Sequence, residues 1–139
     1  MIWLKAFVAG FLSTLIFHQG LFALLHLGGM TPVPAYNMTP VPPLGVPSVV
    51  SISFFGGLWA MALWLVVGRL PSARYWLGHI VLGALAPTAV AMLLVFPLKG
   101  LDVSAQTWIG GFLLNGAWGL GVAVIMRILG GTRPATGSY

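Results

Sequence analysis

The sequence predicts an all-α membrane protein: a four-helix transmembrane bundle with a proline-rich outward loop between its first and second helices. Three observations predict it. The chain of 139 residues is 59% hydrophobic and 5% charged, against about a quarter charged in soluble domains, and its mean hydropathy is +1.02. Four apolar runs are long enough to cross a bilayer, which takes about 20 residues at 1.5 Å each. Between the first two lies Met30 to Pro47, which holds six of the ten prolines, repeats MTPVP and carries no charge.

The runs extend roughly from Trp3 to Leu27, Ser48 to Val67, Tyr75 to Leu98 and Gln106 to Leu129, within a single transmembrane domain covering 1–139 with a short tail at 130–139. The first run is too long for a signal peptide, and no A-x-A cleavage pattern follows it. Lys5, Arg69, Arg74, Arg127 and Arg133 fall on one side of the spans and Lys99 on the other. The excess of cations predicts cytoplasmic termini and a cytoplasmic "GRLPSAR" connector. Met30 to Pro47 then faces outward. Trp3, Trp64, Trp76 and Trp108, with Tyr75, are expected at span ends, where amphipathic aromatics meet headgroups, and His79 beside Tyr75 and Trp76 reads as interfacial.

The proline-rich stretch, within a loop at 28–47, is expected to be extended and non-helical, because proline lacks an amide donor and disfavours helix at the preceding residue. Without charge, it should be ordered and packed on the outer helix ends. Tyr36, Asn37, Pro40, Pro42 and Pro43 are its candidate contact residues, either in a stiff cap fixing the helix exit angles or in a docking strip of preformed polyproline conformation. "NMT" at Asn37 to Thr39 also matches a glycosylation acceptor, a weak three-residue pattern.

Depth along each helix groups the polar residues. Lys5 to His18, Arg74 to Thr88 and Arg127 to Asn115 each correspond to roughly 18 to 21 Å at the helical rise. His18, Gln19, Thr88 and Asn115 therefore form a candidate polar belt, and Gly56 and Gly57 lie level with it on the second helix. Polar groups at this depth face a bundle interior and mark either a functional path or packing contacts. Small and hydrogen-bonding residues for helix packing recur at intervals of four, in Ala6, Gly10, Thr14 and His18 and again in Gly111, Asn115, Gly119 and Ala123. Gly10, Gly56, Gly57, Gly111 and Gly119 are the packing candidates.

Several function classes are disfavoured. The six basic residues form no stripe for nucleic acid. There is no cysteine for disulfides or thiol chemistry. Asp102 is the only carboxylic side chain, so the spans lack both the acid on which ion-driven transporters usually rely and an orienting carboxylate for a hydrolase triad. No catalytic or metal-binding residue is assigned and no cofactor is expected. His26 and His79 lie at depths different from that of His18, leaving no level pair for a bis-histidine haem.

"WLKAFVAGFLSTLIFHQG", "NMTPVPPLGVP" and "FFGGLWAMALW" together resemble small four-span inner-membrane proteins of proteobacteria. The resemblance implies a bacterial inner membrane and carries no activity. Three readings follow. The first is a non-enzymatic accessory or interaction protein, in contact with the bilayer and with a membrane-protein partner or further copies of itself. The second is a small oligomeric pore or uniporter lined by the belt, and the third a cofactor-binding subunit using His18.

Overall fold

The computed structural model describes residues 1–131; Arg133 and the remainder of the tail lie outside the described residues. Four helices are long and apolar enough to cross a membrane: α1 Ile2–Leu27, α2 Ser48–Val67, α3 Ser72–Leu98 and α4 Ala105–Ile128. Their order and contacts describe an up-and-down bundle. Ile2 approaches Gly131, Gly10 meets both Gly56 and Trp118, and Tyr75 meets Ala123, so each helix runs antiparallel to its main neighbours.

The helix ends follow from local chemistry. α3 starts at Ser72, ahead of Tyr75, because Pro71 has no amide donor to lose and its carbonyl accepts from the amides of Arg74 and Tyr75. α4 starts with a capping box in which Ser104 and Thr107 exchange side-chain and backbone hydrogen bonds. Two wide π turns interrupt the helices, Thr14–His18 in α1 and Ala91–Val95 in α3. The first follows the Gly10 carbonyl, which accepts the Trp118 indole N–H at 3.1 Å and the Thr14 hydroxyl at 2.9 Å besides its place in the helix ladder. The second follows Pro87, whose missing N–H leaves a gap in the α3 ladder.

Two seams bring helices together over glycine. A methyl group on Gly10 would fall on the Gly56 carbonyl, and one on Gly119 would fall on the His79 carbonyl. Such small-residue contacts matter in a membrane, where helices associate by close packing rather than by escape from water. Gly57 receives the Phe7 ring and Gly111 faces Thr88. The core where these seams meet holds Ala6, Ala9, Ala60, Trp64, Trp118 and Val122.

Between α1 and α2 the chain is non-helical over 28–47. Pro40–Val41 and Val46–Pro47 pair as a two-stranded antiparallel hairpin, β1 and β2, with a cis Pro42–Pro43 peptide at its turn.

Candidate functional site

Two pairs of polar contacts divide the predicted belt. Thr88 and Asn115 meet directly: the Asn115 Nδ2 amide donates to Thr88 Oγ1 at 2.9 Å, with Thr88 fully buried. His18 and Gln19 form the other pair, Gln19 Nε2 donating to His18 Nδ1 at 3.0 Å. No hydrogen bond among the described residues links the two pairs. Gln19 is the buried member, while His18 is half-buried. The π turn supplies the reason, since its extra residue per turn rotates α1 so that Gln19 rather than His18 continues the inward face begun by Ala6, Gly10 and Thr14.

Gln19 also reaches the loop. Its Oε1 accepts the Tyr36 amide N–H at 2.8 Å, and the Tyr36 hydroxyl donates to the Leu15 carbonyl at 2.7 Å. Tyr36 adopts φ 57°, a left-handed conformation uncommon for a bulky residue and held here by both bonds. Asn37 and Thr39 continue the attachment, because their carbonyls accept the amides of Val49 and Ser48 at the start of α2. The His26 ring, through Nδ1, donates to the Thr31 carbonyl at 2.8 Å. The proline-dense strip is thus fastened at both ends. Its apolar side chains at Met30, Val33, Met38 and Leu44 stay exposed, Leu44 at 83%, as do Pro40, Pro42 and Pro43.

Tyr36→Phe removes one of these bonds and leaves the ring in place. The expected cost is about 1 kcal/mol of loop attachment, which corresponds to roughly five-fold faster protease cleavage within 28–47 and an unchanged helical signal. Unchanged cleavage would show that the hydroxyl does not hold the strip.

Sequence reasoning overlooked the residues that join α1 to α4. Ser13 donates from Oγ to the Trp118 carbonyl at 2.6 Å, and Trp118 returns its indole N–H to Gly10. A tryptophan far from either span end was the available signal.

At the end of the bundle bearing the Gly68–Pro71 connector, residues expected at span ends turn inward. His79 is fully buried within the bundle. Its Nδ1–H donates to the Tyr75 carbonyl at 2.7 Å, and its Nε2 has no hydrogen-bond partner among the described residues. Trp64 and Tyr75 also turn into the bundle and are buried. Trp64 packs edge-on to Tyr75, whose hydroxyl donates to the Ala123 carbonyl at 2.8 Å. Arg127 covers this cluster, its guanidinium 4.9 Å from the ring centroids of both Tyr75 and Trp76.

Apart from His79 Nε2, the buried side-chain polar atoms of the described residues have hydrogen-bond partners within the chain. Among the described residues no three histidine or acidic side chains gather to hold a metal ion. An apolar crevice of about 230 Å³ lies between α2 and α3, lined by Trp59, Leu63, Leu82, Pro87 and Trp118 among others. No family model matches the chain, and neither does any curated protein or solved structure.

Proposed function

We propose that this chain is a non-enzymatic accessory or interaction protein of the bacterial inner membrane, with cytoplasmic termini and the strip around Met30 to Pro47 presented outward as its docking surface. The observation that carries this reading is the clamp of Tyr36 on Gln19 and Leu15. It holds an uncharged strip in place with Met38, Pro42, Pro43 and Leu44 exposed, so a partner meets a preformed surface and the ordering cost on binding is low. The pairing of Thr88 with Asn115 supports the same reading over a pore, because the Asn115 amide is engaged with Thr88 across the α3–α4 seam, the usual role of a packing contact.

Replacing Pro40, Pro42 and Pro43 together with glycine tests the proposal. These residues are exposed, so the four helices should stay folded while copurifying membrane proteins are lost from mild-detergent preparations. Intact copurification with a loosened loop would leave the strip as a cap only and defeat the docking role.

Asn115→Leu separates glue from path. The expected result is a loss of about 0.6 to 1.7 kcal/mol in stability with partner recovery unchanged. A solute leak in liposomes made with the unsubstituted protein, abolished by this change, would favour the pore instead.

A further inference from the structure

The crevice between α2 and α3 exists because the glycine seams pair α1 with α2 and α3 with α4, leaving α2 and α3 in contact chiefly near their connector. There Val67 meets Gly78, and Trp64 meets Tyr75 and His79. Further along, the helices separate. Buried Leu63 and Trp118 form the floor, while Ala62 and Val66 stand exposed at the rim. The Trp118 N–H is turned away toward Gly10, so only indole carbon faces the hollow. A second hollow, lined by Phe55, Leu58, Trp59 and Ala62, adjoins the first through Trp59 and Ala62.

Together they form an apolar groove along α2 from Phe55 to Val66, about 16 Å at the helical rise. That length matches one leaflet, since the whole hydrocarbon core is about 30 Å thick. Water has no polar partner there. One turn beyond Val66 the connector carries Arg69, and the first turn of α3 carries Arg74, both exposed. The single acidic side chain of the sequence, Asp102, belongs to the loop at the opposite end of the bundle. A slender apolar groove of one-leaflet length therefore opens beside two cations without an acidic side chain to neutralise them.

We propose that this groove binds an anionic phospholipid from the leaflet at the connector end, one acyl chain lying along Phe55, Trp59, Ala62 and Val66 and the phosphate meeting Arg69 and Arg74. Cationic sites between membrane helices suit such headgroups, and the small Ala62 side chain leaves width for a single chain. The site uses no residue of the loop strip and stands independently of the docking role.

The test is the lipid retained by the full chain purified in mild detergent, quantified by mass spectrometry of the extract, together with the melting temperature on adding phosphatidylglycerol or phosphatidylcholine. The unsubstituted protein should retain anionic phospholipid and be stabilised by phosphatidylglycerol alone. Arg69→Ala with Arg74→Ala should reduce retention by roughly thirty-fold, about five-fold for each cation at the strength typical of such contacts, and the paired lysine substitutions should restore most of it. Ala62→Trp, at an exposed rim position, should abolish retention with both arginines intact and the helical signal unchanged. Equal retention of neutral and anionic lipid, an isoprenoid chain in place of phospholipid, or retention indifferent to both sets of substitutions would overturn the proposal.

Discussion

Trp118→Ala is expected to lower stability by about 3 kcal/mol, the low end for emptying a buried tryptophan site, because surrounding lipid is itself apolar and the loss is mainly one of packing. Trp118 is 3% exposed and holds α4 to α1 twice, through its indole N–H to Gly10 and through its carbonyl to the Ser13 hydroxyl. The carbonyl contact is available to any residue. Trp118→Phe should therefore cost only about 1 kcal/mol for the indole bond plus the smaller void. Unfolding of both variants in a mild-to-denaturing detergent series supplies the comparison. Equal, small losses would mean that the α1–α4 contact contributes little to holding the bundle together.

Gly119→Ala is expected to cost about 3 kcal/mol, the upper part of the range for inserting one carbon into a packed site. The added methyl group meets the His79 carbonyl, which is backbone and cannot rotate aside. Relief requires α3 and α4 to separate, which also stretches the bond between Asn115 and Thr88. Gly110→Ala is the matched control on the same helix, since nothing lies within 4 Å of its added carbon. Helix propensity there favours alanine by up to about 1 kcal/mol. A neutral Gly119→Ala alongside a neutral Gly110→Ala would remove the seam from the account.

The α3–α4 seam was legible because antiparallel helices of constant rise keep level residues level. The spacing that grouped Gly111, Asn115, Gly119 and Ala123 corresponds to contacts with Thr88, His79 and Tyr75. Composition and proline content located the four helices and the non-helical connector for equally direct reasons. Which face of each helix turns inward was harder to read. A span that is apolar all round has no polar side to betray its orientation, so the aromatics near the connector looked interfacial although Trp64, Tyr75 and His79 turn into the bundle. The π turn in α1 hid a second feature. A stripe counted at four-residue intervals arrives at His18, whereas the extra residue delivers Gln19 to the interior and to Tyr36. Nothing in local propensity marks that bulge, because it accompanies a bond from Trp118, which is distant in sequence.

The proposed docking role requires the strip clamped by Tyr36 to meet a partner while the polar residues between the helices serve packing. A photo-crosslinking amino acid placed at Leu44 and activated in native membranes tests it most directly. Leu44 lies in the hairpin turn with its side chain 83% exposed. Discrete adducts with one or a few membrane proteins are expected, lost when Pro40, Pro42 and Pro43 are replaced by glycine. Adducts to lipid alone, or protein adducts that persist unchanged after those replacements, would contradict it.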